Sequence, residues 1–412
     1  MDKLTTHCVI AGGGPAGMMC GLLLARAGVD VWVLEKHKDF LRDFRGDTVH
    51  PSTLQIMDEL GLLEKFLMLP HQEASEITAE IGKERFKVAD MSRLPTRAKF
   101  VALMPQWDFL EFLAGEARRY PNFHLAMETE VVELLSRRRR IVGVRVRTPE
   151  GTGDLLARLV IGADGRHSKV REKARLKVRD LGAPFDVLWL RLPTAPDDPK
   201  EPVGRFVGGN LFVMLYRGDY WQCALAIPKG GLAELKKEGL SAFLARLRTA
   251  AGFARDRVET IKSFDDVSLL TVRVDRLTRW ARPGLLCIGD AAHAMSPIGG
   301  VGINLAIQDA VATANALASV LATRRPRLSE LQRVQRRREW PTSVVQRFQV
   351  LVQNTVLART IRSQVTPRPP WPLYVLDRWT WARQWPARFI GLGVRPEHVK
   401  SKAVTPADSA PR

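Results

Sequence analysis

Three glycines near the start of the chain have the spacing of a phosphate-binding turn. Gly12, Gly14 and Gly17 lie in the run GGGPAG, which Pro15 and Ala16 complete. In such a turn the first glycine permits the sharp bend, the second lets the backbone approach a pyrophosphate, and the third lets the next helix pack closely on the preceding strand. The N–H groups at the start of that helix face the phosphates. The spacing therefore predicts that the chain binds a dinucleotide.

The segments on either side of the turn are those that such a site requires. Residues 6–11 are rich in β-branched side chains and predict a buried strand, and an apolar helix follows to about Ala27. A second strand, residues 29–34, ends at Glu35, where a carboxylate accepts hydrogen bonds from a ribose and disfavours a 2′-phosphate. Strand, turn, helix, strand and acidic residue in this order indicate a dinucleotide with a plain ribose, FAD or NAD.

Two later segments also place an acidic residue directly after a strand. Residues 159–171 (LVIGADGRHSKVR) contain Asp164 and Gly165 between a strand and a helix. Residues 285–304 (LLCIGDAAHAMSPIGGVGIN) contain Asp290 after a strand, followed by a loop rich in glycine and a helix. Together with the first turn, these segments decide between FAD and NAD.

The three motifs make the chain resemble the group A flavoprotein monooxygenases, the family of para-hydroxybenzoate hydroxylase. The family's DG motif matches Asp164-Gly165 and its GD motif matches Gly289-Asp290, in the same order and spacing, and the resemblance covers about residues 5–325. It implies FAD as the bound cofactor. It also implies NAD(P)H as a transient co-substrate, since no second GxGxxG lies between a strand and a helix.

The resemblance implies roles for residues of the GD segment. Asp290 should hydrogen-bond the ribityl chain of FAD, and Pro297 should lie near the reactive edge of the flavin through its backbone. The backbone of Gly302, Ile303 and Asn304 should donate hydrogen bonds to the pyrimidine end of the isoalloxazine. The last role has a physical reason, because reduced flavin carries negative charge there and a helix N-terminus stabilises an anion.

Further residues resemble FAD-contacting positions of the family. Arg45, in FRGD, is similar to the arginine that contacts FAD after the second strand; Gln106, at the start of a helix expected over 105–120, resembles the flavin-contacting glutamine. Asp164 is similar to an aspartate that helps hold the pyrophosphate region and is implicated in nicotinamide binding. A surface charge for Arg45 and a solvated helix start for Gln106 are the alternatives. For His293 we favour packing or capping over proton transfer, and no side chain is assigned as a catalytic acid or base.

The predicted fold class is α/β. A Rossmann-like FAD-binding domain carries an inserted mixed β-sheet domain for the substrate and a C-terminal helical region. The expected boundaries are 1–74, 100–181 and 276–325 for the FAD-binding domain, 75–99 and 182–275 for the substrate domain, and 326–412 for the C-terminal region.

A β-hairpin is predicted within the substrate domain. Residues 210–216 and 220–227 are two apolar runs joined by RGD. The resemblance implies that this sheet roofs the flavin and lines the substrate pocket. The lining residues lie on one face of the hairpin, Met214 or Leu215 with Gln222 or Ala224, and the sequence leaves the choice of face open.

The net charge of +19 is concentrated at the C-terminal end of the chain. Residues 326–412 hold 16 Lys and Arg against 5 Asp and Glu, a net +11, and five of the ten tryptophans. Tryptophan with arginine at helical spacing suits a water–lipid interface, and equally suits helices packed over a core with extended arginines. The final residues, 401–412, are expected to be disordered. No nucleic-acid motif accompanies the arginine run 137–140, which predicts a hairpin turn.

Several classes of protein are disfavoured by composition. The four cysteines are scattered without a CxxC pair, which argues against a disulfide framework or a metal site and favours the reducing cytosol. The chain starts without a secretory signal pattern. No stretch of about 20 residues is free of strongly polar groups, so no transmembrane helix is expected. Each cysteine is expected to be a small buried hydrophobic side chain.

The expected activity follows from the resemblance. A flavin monooxygenase would use NAD(P)H and O2 to hydroxylate an aromatic or hydrophobic small molecule through a flavin C4a-hydroperoxide, a step that requires no protein nucleophile. The alternative is an FAD-dependent reductase or dehydrogenase of an isoprenoid-type or quinone-like substrate, without oxygen insertion. A non-catalytic FAD-containing scaffold is disfavoured by the intact motifs, and a halogenase by the missing WxWxIP signature.

Overall fold

The computed structural model describes residues 4–41, 48–363 and 366–404. Its strands are β1 Leu4–Ala11, β2 Val31–Leu34, β3 Thr48–Val49, β4 Gln72–Ala74, β5 Glu76–Ile81, β6 Glu84–Asp90, β7 Val101–Leu103, β8 Phe123–Ala126, β9 Glu130–Arg137, β10 Arg140–Thr148, β11 Gly151–Gly162, β12 Val178–Asp180, β13 Phe185–Pro193, β14 Val203–Val207, β15 Asn210–Tyr216, β16 Tyr220–Pro228, β17 Ser268–Leu270, β18 Asp275–Leu277, β19 Ala281–Arg282 and β20 Leu285–Cys287.

The helices alternate with these strands in the first part of the chain and dominate its end. They are α1 Pro15–Arg26, α2 Pro51–Glu59, α3 Leu63–Leu67, α4 Gln106–Ala117, α5 Lys169–Lys173, α6 Leu232–Glu238, α7 Leu240–Ala251, α8 Gly302–Thr323, α9 Leu328–Val352, α10 Ala358–Ser363, α11 Trp371–Arg378 and α12 Gln384–Gly391.

A largely parallel sheet forms the centre of the molecule. Within the described residues it has eight strands, and β20, β11, β1, β2 and β8 lie side by side and parallel. Cys8, Val9 and Ile10 of β1 are fully buried because α1 and α8 pack on this sheet, with α4 packed against α1, as is typical of parallel sheets covered on both faces. The predicted α/β fold with a Rossmann-like domain is confirmed.

A second sheet is built from two distant parts of the sequence. In the described part of the chain it has seven strands in the order β17-β13-β16-β15-β14-β5-β6. The predicted hairpin is present as β15 and β16, which pair antiparallel across residues 217–219. Helices α6 and α7 cover one face of this sheet with an apolar core, so its other face is turned away from them.

The C-terminal helices pack on both sheets. Helix α9 lies along α8 and continues through a π-helical turn, Gln353–Leu357, into α10. Helices α11 and α12 contact β6. The chain then returns to the first helix, where Val404 N donates to Arg26 O over 3.0 Å and Arg26 Nη1 donates to Ser401 O over 2.9 Å. The expected disorder is therefore wrong for residues 401–404, and 405–412 lie outside the described residues.

Two smaller predictions agree with the structure. All four cysteines are buried and free. The arginine run forms the turn between β9 and β10, with Arg138 and Arg139 at positive φ of 50° and 64°.

No transmembrane helix was expected, but among the described residues one helical stretch, Ile298–Thr323, is by length and composition apolar enough to cross a membrane. In the protein, 72% of its most apolar window is buried, which is typical of a core helix.

Candidate cofactor and active site

The glycine turn leaves an open space at Gly14. A Cβ built on Gly12 would overlap Ala163 O, and one on Gly17 would overlap Gly12 O, so the fold itself requires these two glycines. Gly13 and Pro15 apart, no atom of the residues that the structure describes lies within 4 Å of a Cβ built on Gly14, although this residue caps the buried helix α1. Any residue can adopt the φ of −74° found at Gly14, so the backbone conformation does not require glycine here. The glycine instead leaves an open space in front of α1, a cradle that a ligand can fill.

Glu35 reaches back from the end of β2 to this turn. Its carboxylate is buried and accepts a hydrogen bond from Gly13 N over 3.0 Å. The other oxygen accepts from His37 N over 3.1 Å and lies 2.6 Å from His37 Nδ1. Glu35 therefore ties the end of β2 to the glycine turn, where the resemblance places the ribose of the cofactor.

Asp164 organises the loop between β11 and α5. Its carboxylate accepts from Ser168 Oγ over 2.5 Å and from Val170 N over 3.0 Å, and burial raises its pKa. The next residue, Gly165, has a φ of +79°, and no protein atom lies within 4 Å of a Cβ built there. Asp164 thus fixes a loop in which the space beside Gly165 is open, as is the space beside Gly14 in the first turn.

The loop after β20 lies against both of these segments. A Cβ on Gly289 would be 2.9 Å from Ala16 Cβ, so this loop touches the glycine turn. Arg166 Nη2 lies 3.5 Å from Asp290 Oδ2 and connects the loop to the Asp164 segment. The structure therefore brings the three motifs together, and it adds Arg166, which the sequence analysis did not single out.

His293 belongs to a buried ionic network behind the loop. Its Nε2 lies 2.6 Å from Asp309 Oδ2, which also accepts from Gly289 N over 3.0 Å. Asp309 Oδ1 accepts from Arg338 Nε over 3.1 Å, and Arg338 Nη1 in turn reaches Glu397. Burial would raise the pKa of Asp309, but His293 and Arg338 outweigh it and hold the pKa below its usual range. His293 thus packs and orders the loop.

The start of α8, beside the Pro297 loop, presents N–H donors that have no acceptor within the described part of the chain. The first N–H groups of a helix have no acceptor inside it, and here they belong to Gly302, Ile303 and Asn304. The Asn304 side chain faces the protein, where its Oδ1 accepts from His50 N over 3.2 Å and Thr53 Oγ1 over 2.7 Å. The backbone donors remain available for a negatively charged group, as expected for the pyrimidine end of a flavin.

For two of the residues that resemble FAD-contacting positions, the structure does not test the implied role. Gln106 is the partly buried first residue of α4, directly after the small sheet of β3, β7 and β4. Arg45 lies outside the described residues. Their roles stay predictions.

The structure separates the four candidate lining residues by face. Met214 is fully buried under α7 in the core of the second sheet. Leu215 and Gln222 pair across the hairpin and, with Ala224, lie on the opposite face. Ile298, which follows Pro297, packs against the cluster that contains Ala224. The loop beside the predicted flavin edge and this sheet face therefore meet.

No group of three or more His, Cys, Asp or Glu side chains in residues 4–41, 48–363 and 366–404 is placed to hold a metal ion. The candidate cofactor site is formed by the glycine turn, the Asp164 loop, the Asp290 loop and the start of α8.

Comparison with known proteins identifies the family. The model of the FAD binding domain family matches residues 5–347. The chain is 35% identical to 6-methylpretetramide 4-monooxygenase of Streptomyces rimosus. The alignment of 378 residues covers 89% of this chain and 88% of the relative. The chain is 30% identical over 327 residues to rifampicin monooxygenase of Streptomyces venezuelae, covering 73% of this chain and 62% of the relative.

A solved structure shows the same fold. That of p-nitrophenol 4-monooxygenase PnpA from Pseudomonas putida matches 94% of this chain and 97% of its own, with a TM-score of 0.76 at 20% identity. At this identity the likeness concerns the fold alone. The sequence relatives and the family match carry the functional conclusion: the chain belongs to the FAD binding domain family and, within it, to the group A FAD-dependent monooxygenases.

Proposed function

We propose that FAD lies across the three loops and that an aromatic substrate is hydroxylated where the Pro297 loop meets the second sheet. The observation that carries the proposal is the open cradle at Gly14, which lies near the first turns of α8. Gly289 links the two, because a Cβ built on it would lie 2.9 Å from Ala16 Cβ and 3.4 Å from Ala306 Cβ. These two features suit the two ends of FAD, because one accommodates a pyrophosphate and the other stabilises negative charge. The residues present therefore fit the cofactor.

The protein's own contribution is positioning and electrostatics. When bound, FAD supplies the oxygen-activating chemistry, and NAD(P)H is the proposed reductant. The N–H groups of Gly302 to Asn304 stabilise negative charge at the pyrimidine ring. Ala224 and Ile298 belong to one apolar cluster, which excludes water from the reacting atoms. No described side chain is needed as a nucleophile.

We propose that the domain boundaries separate the residues that bind the cofactor from those that bind the substrate. Residues 1–74, 100–181 and 276–325 would hold the cofactor, and 75–99 with 182–275 would hold the substrate. The two inserted segments supply adjacent strands of one sheet, β5 and β14, which supports the assignment. The free cysteines support a location in the cytoplasm.

For the substrate we propose an aromatic compound of the kind that the relatives' names describe. The chain matches most of the length of a 6-methylpretetramide 4-monooxygenase, and a para-nitrophenol 4-monooxygenase of Pseudomonas is 26% identical to it. The face of Leu215, Gln222 and Ala224 is mainly apolar with one amide. That combination suits a flat aromatic body with a polar substituent.

The purified holoenzyme tests the reaction directly. We expect a yellow protein whose NAD(P)H oxidation is accelerated by 6-methylpretetramide or by para-nitrophenol. With ¹⁸O₂, mass spectrometry should find one labelled oxygen in the product, because the inserted atom comes from O2. NADH and NADPH are assayed separately.

Three results would contradict this function. A protein that cannot be reconstituted with FAD excludes the whole proposal. FAD reduction followed by a reduced or dehydrogenated product without ¹⁸O favours the reductase alternative. Product formation that is unaffected by removal of O2 would exclude oxygen insertion.

We also propose that the C-terminal region contacts an anionic membrane surface. The region packs on the protein through Ala387 and Ile390, but its tryptophans point outwards. Trp371, Trp381 and Trp385 are 75%, 63% and 73% exposed. Exposed tryptophan in a region with a net charge of +11 matches the chemistry of lipid headgroups over an apolar layer.

Vesicle co-sedimentation tests this contact. Wild type should bind vesicles of phosphatidylcholine and phosphatidylserine, and binding should fall steeply as salt is raised from 50 to 300 mM, because salt screens charge over a Debye length of about 10 Å at 0.1 M. The double variant Trp381→Ala, Trp385→Ala should bind about tenfold more weakly, since it loses apolar area for burial.

The control removes an exposed apolar side chain elsewhere. Met68 is 77% exposed on the first domain, so Met68→Ala should bind vesicles like wild type. Absence of binding at every salt concentration would refute membrane contact. A concentration-dependent dimer in light scattering that the tryptophan variant loses would instead assign the surface to a second copy of the chain.

A further inference from the structure

The loop that carries Pro297 is held by a side chain from the C-terminal region. Gln349 lies on α9 and is 1% exposed. Its Oε1 accepts a hydrogen bond from Ser296 N over 3.1 Å. Its Nε2 donates to Ser296 O and to Ile298 O, both over 2.9 Å. One amide thus engages the backbone on both sides of Pro297.

The neighbouring turns of α9 continue this contact. Gln346 Nε2 donates to Ala294 O over 3.0 Å and to Asp275 O over 2.8 Å. Gln353 Nε2 donates to Gly182 O over 3.0 Å. Residues three and four apart on a helix share one face, so the three glutamines form a buried row, and two of them hold the loop.

Other hydrogen bonds also shape the loop around Pro297. Gly300 N donates to Pro297 O over 3.0 Å, Thr48 Oγ1 to Gly300 O over 2.9 Å, and Ile298 N to Ser296 Oγ over 3.5 Å. None of these three engages the carbonyls of Ser296 and Ile298, which Gln349 binds. Gly299 and Gly300 have positive φ of 78° and 63°, and glycine is conformationally permissive, so the orientation of the Ser296 and Ile298 peptide groups depends in part on Gln349.

We propose that Gln349 is a positioning residue for the reaction and sets the distance between the Pro297 loop and the reactive edge of the flavin. This inference rests on the proposed location of FAD. Through the loop, Gln349 also sets the position of Ile298 against the sheet face that faces the substrate. An error of about 1 Å at a reacting centre can lower the rate about 100-fold. When the hydrogen bonds of Gln349 are lost, NAD(P)H should therefore still reduce the cofactor, but a smaller fraction of the reduced enzyme should hydroxylate the substrate.

The test compares Gln349→Met with Gln353→Met in the FAD-loaded enzyme. Both replace a buried glutamine on one helix by an apolar side chain of similar length, but only the first releases the Pro297 loop. In Gln349→Met we expect the fraction of NAD(P)H consumption that yields hydroxylated product to fall about tenfold, with H2O2 released in its place. The absorbance spectrum of the bound FAD should shift. Gln353→Met should match wild type in both readouts.

A second variant keeps the test valid if Gln349→Met does not fold. Gln349→Glu retains the acceptor for Ser296 N and loses the donor to the two carbonyls, so its coupling should lie between those of wild type and Gln349→Met. The proposal is overturned if either folded Gln349 variant has wild-type coupling and spectrum, or if Gln353→Met changes both equally. If wild type binds FAD without hydroxylating any compound, the proposed function fails, while the FAD spectra of the variants still decide the role of Gln349.

Discussion

Gly14→Val is expected to abolish retention of FAD and to leave the protein folded. The side chain would enter the open cradle in front of α1, where no protein atom lies within 4 Å of the new Cβ. If FAD lies as proposed, the side chain would collide with the pyrophosphate of the cofactor. We expect FAD affinity to fall at least about 100-fold, which corresponds to about 2.7 kcal/mol, measured by fluorescence titration of the apoprotein.

Gly115→Val is the matched control for this variant. Gly115 lies on the exposed side of α4, and a Cβ there also has no protein atom within 4 Å. The two variants share the chemical change and the lack of steric conflict within the protein, so only Gly14→Val should lose FAD. Stoichiometric FAD in purified Gly14→Val would show that the cofactor's phosphates lie elsewhere.

Arg338→Met should cause the largest loss of stability among the changes considered. Arg338 is 1% exposed and donates to Asp309, which is fully buried. Removing one partner of a buried ion pair leaves an uncompensated charge and costs about 3–5 kcal/mol. Because Asp309 also holds His293 and Gly289 N, the variant should bind FAD more weakly as well. Urea unfolding of the holoenzyme measures the first effect.

The adjacent arginine provides the comparison. Arg337 is 36% exposed at its side chain and pairs with Glu397 alone, so Arg337→Met should cost about 0–1 kcal/mol. Equal destabilisation by the two variants would contradict the importance of the buried pair.

The pH dependence of Arg338→Met has a defined sign. The pKa of Asp309 is lowered in the folded protein, so its ion pairs stabilise the fold above the ordinary pKa of about 4 and lose this effect as the pH falls below it. The difference in stability between wild type and Arg338→Met should therefore be full near pH 7 and shrink in acid. A difference that grows as the pH falls would exclude this explanation.

The cofactor domain could be predicted because its signals are local. The glycine spacing, the flanking strands and Glu35 lie within about 30 residues, and each reports a backbone constraint that acts on its neighbours. The Asp164 and Asp290 segments are equally compact. The order of motifs in the family implied that these segments lie close together in space. The structure shows this where Gly289 contacts Ala16.

The substrate face could not be chosen for a simple geometric reason. Successive residues of a strand point to opposite faces, so Met214 and Leu215 are equally apolar candidates until the covering element is known. Helices α6 and α7, which follow later in the sequence, settle the choice by burying Met214.

The role of the C-terminal region was hidden because it depends on contacts between distant parts of the chain. Gln346, Gln349 and Gln353 form a polar row with helical spacing, which alone resembles a solvated helix face. The packing of α9 against the Pro297 loop buries this row of glutamines and lets Gln349 hydrogen-bond the loop backbone. In the same way, residues 401–404 have the composition of a loose tail but hydrogen-bond to the first helix.

The return of residues 401–404 to the first helix has a consequence for how the protein is made. Arg26 of α1 and its partner Ser401 are 375 residues apart in the chain, and Val404, its other partner, is made still later. At about 5–20 residues per second, roughly 20–75 s pass between the synthesis of Arg26 and that of Ser401. These contacts can form only after this interval, so we expect the end of α1 to reach its final packing late in folding.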